Sequence, residues 1–179
     1  FNSEYMIGEN LSLRALEPED INLLYQWENN TSIWHLSNTI TPFSRHLLEE
    51  YILNSHQDIY TVKQLRLMIV LNKSKEAIGC IDLFDFDPTN MRAGMAILIS
   101  EEQRNKKYGT EVLSLMIDYC FNTLHLHQLY CNILSNNDAS LALFKKVKFS
   151  VIGIKKEWVR IQNNWVDEYM LQRINNEQK

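Results

Sequence analysis

Residues 101–121 read EEQRNKKYGTEVLSLMIDYCF, and this stretch decides the fold. A polar run carrying Arg104, Lys106 and Lys107 meets a lone Gly109 and tips into an apolar pattern. Tyr108, Val112, Met116, Cys120 and Leu124 recur at every fourth position, flanked by Leu113, Ile117 and Phe121. That spacing predicts a helix over 107–124. A helix start leaves backbone N–H groups without partners, so a cationic loop running into one suits an anion.

Outward from this helix the chain alternates between strand and helix patterns. Upstream, QLRLMIVL (64–71), AIGCIDLFDF (77–86) and RAGMAILIS (92–100) read as strands separated by short polar turns, a pattern that predicts an antiparallel meander. LSLRAL (11–16) alternates like a further short strand. EDINLLYQWENN and TPFSRHLLEEYILNSHQ read as two helices, the second with Thr41 or Ser44 as its cap. Downstream come a strand at 128–134, a short helix at 137–147 and two final strand-like runs joined by the turn QNN. There is no repeat, linker or low-complexity segment, and the order predicts one α+β domain over 1–179.

The bulk properties bound the function. The 179 residues carry a net charge of −4, which gives no general case for nucleic acid or membrane partners, so any basic patch is local. Cys80, Cys120 and Cys131 sit inside apolar runs without C-x-x-C spacing, which suggests reduced thiols and a cytoplasmic location. No apolar run approaches the ~18 residues of a membrane span. His125 and His127 lack a Cys/His/Asp set to complete a metal site, so no metal is expected. Nucleotide loops of the G-x-x-x-x-G-K-[S/T] or G-x-G-x-x-G type are absent, as is a G-x-S-x-G nucleophile elbow.

The run from 92–100 through the basic loop, the long helix, the next strand and NNDASLALFKKVKF resembles the GNAT acyltransferase superfamily. Within it, the chain looks most like the branch of ribosomal-protein and spermidine N-acetyltransferases, a likeness that extends from LSLRALEPEDINLLYQWENN to DEYMLQRI. The resemblance implies a GNAT fold, a mixed and mostly antiparallel sheet of about seven strands flanked by helices. It also implies acetyl-coenzyme A as cofactor, held at its pyrophosphate by a loop of the form [Q/R]-x-x-G-x-[G/A]. Here that loop spans Arg104, Asn105, Lys106, Lys107, Tyr108 and Gly109, followed by Thr110; Lys107 replaces the first glycine. Backbone of Ile97, Leu98 and Ile99 would meet the pantetheine arm and the thioester, in a slot opened where this strand splays from 128–134. Asn137 and Ser140 would line the arm, with Phe144 beside the thiol.

Two positions depart from the family pattern. Gly94 stands where many relatives carry Glu, and Phe144 where a Tyr general acid is frequent. Asp82 interrupts an apolar run, where a carboxylate needs a partner or a raised pKa, and is the expected base; the competing reading pairs it with Arg66 or Arg92. Trp34, His35, Asp82, Asp85 and Trp158 are expected to wall the acceptor site. The implied reaction is acetyl transfer to a primary amine by direct attack, with a polyamine, a protein N-terminal amine and an amino sugar all open. A non-catalytic acyl-coenzyme A sensor on the same fold is the competing class. The resemblance also implies a homodimer through the C-terminal strands.

Overall fold

The computed structural model describes residues 6–33, 39–104 and 106–176. Seven strands form one sheet: β1 (Leu11–Ala15), β2 (Leu65–Leu71), β3 (Ala77–Asp87), β4 (Arg92–Ile99), β5 (Gln128–Leu134), β6 (Ser150–Ile161) and β7 (Asn164–Ile174). Their order is β1-β2-β3-β4-β5-β7-β6. The helices are α1 (Ile21–Glu28), α2 (Arg45–Asn54), the short α3 (Ile59–Val62), α4 (Tyr108–Asp118) and α5 (Asp138–Lys146).

Each face of the sheet buries its own core. On one face, Val112, Met116 and Cys120 from the predicted i, i+4 stripe pack with Leu13, Ile69, Ile81 and Met95. The other face packs Met68, Val70 and Cys80 against Leu24 of α1 and Leu48 and Ile52 of α2. This two-sided burial explains why β2 and β3 read as nearly continuous apolar runs. The expected single helix over 107–124 differs in one respect: after Asp118 the chain continues as a π-helical turn, Tyr119–Thr123. There Cys120 and Phe121 are both buried, continuing the buried pairs Val112–Leu113 and Met116–Ile117 of the α-helical part. Ser44 caps α2 by accepting from the Leu47 amide at 3.1 Å. No helix among the described residues is long and apolar enough to cross a membrane.

The sheet is two halves joined at a short seam. β4 runs antiparallel to β3 over most of its length, and β5 does the same with β7. Between them, β4 and β5 pair in parallel only at Arg92, Ala93 and Gly94 against Gln128, Leu129 and Tyr130. Beyond Gly94 the strands part, so backbone polar groups of β4 lose their neighbour on that side.

At the start of α1 an ion pair between the half-exposed Arg14 and the buried Asp20 fixes the chain's entry. Arg14 grips both oxygens of Asp20 at 2.8 Å, and Asp20 also accepts from the Glu17 amide at 2.8 Å. Burial pushes the Asp20 carboxyl up, but the Arg14 hydrogen bonds, the Glu17 amide and the guanidinium charge override it and hold the group below its ordinary range. A depressed carboxyl stabilises the fold above its unfolded value near 3.8 and loses that contribution as pH falls through the folded one. Asp20→Asn should therefore cost about 2 kcal/mol at pH 7 in urea unfolding, and the deficit should shrink below about pH 4. An equal deficit at pH 7 and pH 3 would show that the charge is irrelevant.

Candidate active site

The divergence of β4 from β5 opens a cleft of about 240 Å³. Met95, Ala96, Ile97 and Leu98 line one side, Cys131, Asn132, Ile133 and Leu134 the other, and Asn137, Ser140 and Phe144 come from α5 and its cap. The Ser100 amide bonds the Ile78 carbonyl on β3, so hydrogen-bonding groups of alternate residues, Leu98 and Ala96, also point to β3. Those of Ile97 and Ile99 point to the cleft, and the Ile99 carbonyl already accepts from Arg104 Nε at 3.0 Å. Of the three predicted backbone positions, Ile97 therefore offers its amide to an extended arm, whereas Leu98 spends its own within the sheet.

Beyond the end of β4 and the basic loop, α4 begins without a side-chain cap. Lys107 occupies the cap position with φ 64° and ψ 13°, the left-handed conformation that normally calls for glycine. A lysine there costs roughly 1–2 kcal/mol of backbone strain but adds a cation beside the unpaired amides of the first turn. Lys106 Nζ donates to Gln103 Oε1 at 3.1 Å, holding the loop's second lysine nearby. Gly109 has an ordinary φ, and its missing Cβ serves packing instead: an added carbon would lie 2.9 Å from the Leu143 side chain of α5. Uncapped amides of Tyr108, Gly109 and Thr110 beside Arg104, Lys106 and Lys107 fit an oligophosphate. Asn105, also predicted for this loop, lies outside the described residues.

Asn137 caps α5 through its Oδ1, which accepts from the Ser140 amide at 3.2 Å. The cap uses the oxygen, so the amide nitrogen is the group available to a carbonyl in the cleft. Phe144 is buried edge-on against Phe149, with ring centroids 5.2 Å apart. It fills the cleft wall and carries no proton to donate.

The opposite end of the cleft is ionic. Arg66 and Asp82 are direct cross-strand partners on β2 and β3. Arg66 Nε and its terminal nitrogen grip the two Asp82 oxygens at 2.7 and 2.8 Å, and the other terminal nitrogen reaches Glu28 Oε1 at 2.6 Å. Burial works to lower the Arg66 pKa, but the Asp82 charge and hydrogen bonds more than offset it, and the guanidinium is held well above its usual value. Glu28 ends α1, where the helix dipole disfavours an anion, so Arg66 is what makes a carboxylate tolerable there. Of the two readings of Asp82, the geometry shows the pair with Arg66: both carboxylate oxygens accept from the guanidinium, so a role as base would require that fork to open.

Gly94 explains the missing acid on β4. Its cross-strand partner is Phe84, whose ring occupies the space above the glycine; a Cβ would lie 2.2 Å from that ring. Phe84 in turn meets Tyr130 edge-on at 5.8 Å. Two other predicted residues fall outside the cleft. Asp85 sits exposed where the β3–β4 register is interrupted, with φ 48°, and is absent from the cleft lining. Trp158 is 59% exposed on β6, where a bulge between Lys155 and Val159 re-aims the strand, and Lys155 Nζ lies 5.2 Å from its ring. Lys155 also pairs with Glu168 at 3.1 Å, and Glu168 lines the cleft. Trp34 and His35 lie outside the described residues. Glu28, Arg66 and Glu168 are what the sequence reading left out of the site. Their signal is a charge inside a helix or strand pattern, which acquires meaning only through the pairing.

A family profile for the acetyltransferase (GNAT) domain matches residues 10–150. The chain belongs to the GNAT acetyltransferase family. It is 25% identical over 175 residues to the uncharacterized N-acetyltransferase p20 of Bacillus licheniformis, covering 97% of this chain and 98% of that one. It is 28% identical over 147 residues to the spermidine N(1)-acetyltransferase of Escherichia coli K12, covering 82% and 76% respectively. The fold superposes on a crystal structure of the Vibrio cholerae spermidine N-acetyltransferase in complex with CoA and spermine at a TM-score of 0.85, with 23% identity over 93% of this chain and 96% of that one. The expected GNAT sheet and acetyl-coenzyme A as the family's cofactor stand.

Two measurements test this site. Lys107→Gly should remove backbone strain and raise the melting temperature, yet weaken coenzyme A binding about threefold to tenfold at low salt, converging with wild type at high salt. Equal affinity at low salt would show that the side chain takes no part. Burial pushes the Cys80 and Cys131 thiols up to about 12 and raises Cys120 as well. At pH 8 about one thiol in ten thousand is then ionised, so the native protein should resist iodoacetamide and react once unfolded.

Proposed function

We infer that this GNAT enzyme transfers the acetyl group to a primary amine by direct attack within a ternary complex. The observation that carries the reading is the cleft between the parted β4 and β5, whose lining includes Glu28, Arg66 and Asp82, on a chain whose β4 leads through a basic loop to an uncapped helix start. When bound, acetyl-coenzyme A supplies the activated thioester. The chain's own residues hold, orient and receive. The amides of Tyr108, Gly109 and Thr110, with the loop cations, would take phosphate; the Ile97 amide and the Asn137 side chain would align the arm.

Glu28 and Asp82 would draw the ammonium form of the acceptor to the cleft. Arg66 offsets part of that negative charge, which leaves the cluster attractive without trapping the cation. The acceptor's proton would leave through water, because Asp82 is held by Arg66 and Phe144 cannot exchange one. The thiols of Cys80 and Cys131 line the cleft but stay protonated, which favours direct attack over a cysteine-bound acyl group. Three unpaired buried thiols also favour a reducing compartment, and we place the enzyme in the cytoplasm.

A related V. cholerae spermidine N-acetyltransferase, 24% identical, is dodecameric. In this chain the 12-residue β6 is an edge strand with exposed Val151, Ile152, Ile154 and Trp158, which supports self-association through the C-terminal hairpin.

The deciding assay follows thiol release from acetyl-coenzyme A over a panel of amines. Amine-dependent release is expected; coenzyme A binding without release from any amine would overturn the transfer reading. Asp82→Asn should raise the amine KM about tenfold and change kcat less than about threefold, since it removes an electrostatic anchor. A collapse of kcat at constant KM would restore Asp82 to the role of base.

A further inference from the structure

Beyond the ionic cluster lies a second cavity of about 340 Å³, which shares Glu28, Arg66 and Asp82 with the cofactor cleft. The cluster is therefore the wall between two chambers and is reached from both. Past it, the second chamber is walled by Phe43, Leu47 and Phe84, with Leu48 and Tyr51 of α2 behind them. Asn29 ties Phe43 in place at both ends, its Oδ1 accepting from the Phe43 amide at 2.7 Å and its Nδ2 donating to the Phe43 carbonyl at 3.1 Å. Tyr51 packs under Arg66, with the guanidinium 5.4 Å from its ring, and burial keeps its phenol neutral with a pKa of about 12. Among the described residues, the one further polar side chain lining it is the Gln64 amide, which is neutral.

Among the described residues, charge in this chamber sits at one end only, in the carboxylates of Glu28 and Asp82 and the guanidinium between them. A second ammonium a few methylenes further along would rest against Phe43, Leu47 and Leu48 without a counter-charge. The other carboxylate on the cofactor cleft, Glu168, is engaged by Lys155.

We propose that the second chamber is the acceptor site and that it selects a primary monoamine with an apolar body, such as an arylalkylamine or an alkylamine, over polyamines and amino sugars. The inference rests on the amine-transfer reading and narrows it. The ammonium docks at Glu28 and Asp82 with its carbon skeleton in the apolar chamber, which leaves the nitrogen at the shared wall facing the cofactor cleft. A hydroxylated sugar ring would bury its hydroxyls against Phe43 and Phe84 unpaired, and a polyamine would bury a charge.

The test compares kcat/KM for 2-phenylethylamine, hexylamine, spermidine, glucosamine and a leucyl dipeptide with saturating acetyl-coenzyme A. The phenyl and hexyl amines are expected to exceed spermidine and glucosamine by about tenfold or more. Spermidine or glucosamine equal to or above them overturns the proposal, and a preferred dipeptide would assign the chamber to a peptide N-terminus instead. Leu47→Glu adds a carboxylate on a half-exposed helix position, so folding should survive. It should shift the spermidine to phenylethylamine ratio about tenfold toward spermidine; an unchanged ratio counts against the chamber. If no amine supports turnover, the transfer reading fails, and calorimetry with 2-phenylethylamine in the presence of coenzyme A then decides the chamber alone. Saturable binding weakened by Leu47→Glu sustains it, and no binding overturns it.

Discussion

Three residue pairs hold the two halves of this sheet together, and the rest of the molecule is arranged around that brevity. Arg92 to Gly94 meet Gln128 to Tyr130, and then the strands leave one another. Backbone groups without a neighbour inside a protein need a partner, so the gap is a standing requirement for something extended and rich in amides. Each half is held straight by a full antiparallel ladder on its outer side, β3 for β4 and β7 for β5, so the gap cannot close by bending one strand. The uncapped start of α4 faces the same requirement at its own scale, with amides that want an anion.

Much of this was legible in the sequence, for physical reasons. The stripe Val112, Met116 and Cys120 has the helical period and faces the core. The meander of β2, β3 and β4 is punctuated by turns short enough to allow only antiparallel neighbours. What stayed hidden is what depends on register. Glu28 and Arg66 are 38 positions apart, and nothing local marks them as partners. Closeness in sequence to Asp82 and aromatic character are poor guides to position: Asp85 and Trp158 both lie at register interruptions, exposed and outside the cleft lining. The π turn at Tyr119–Thr123 preserves the apolar pattern of an ordinary helix and so leaves no trace in the spacing.

The ionic cluster shows how one arginine organises two chambers. Arg66 makes it tolerable for Glu28 to end a helix and for Asp82 to interrupt an apolar strand, and both local conflicts fall at the site. Without the guanidinium, two half-buried carboxylates would face each other across the wall; with it, the wall carries a modest and stationary negative field. That arrangement suits recognition of a cation better than removal of its proton.

The aromatic ring above Gly94 has a steric consequence. Phe84 fills the space a β4 side chain would need, since even a methyl group would strike the ring. An acid introduced at position 94 therefore has to displace the ring first, and with it the Phe84–Tyr130 contact at the seam of the sheet. Acid–base chemistry at that point of β4 and the integrity of the seam compete for one volume, and in this chain the seam holds it.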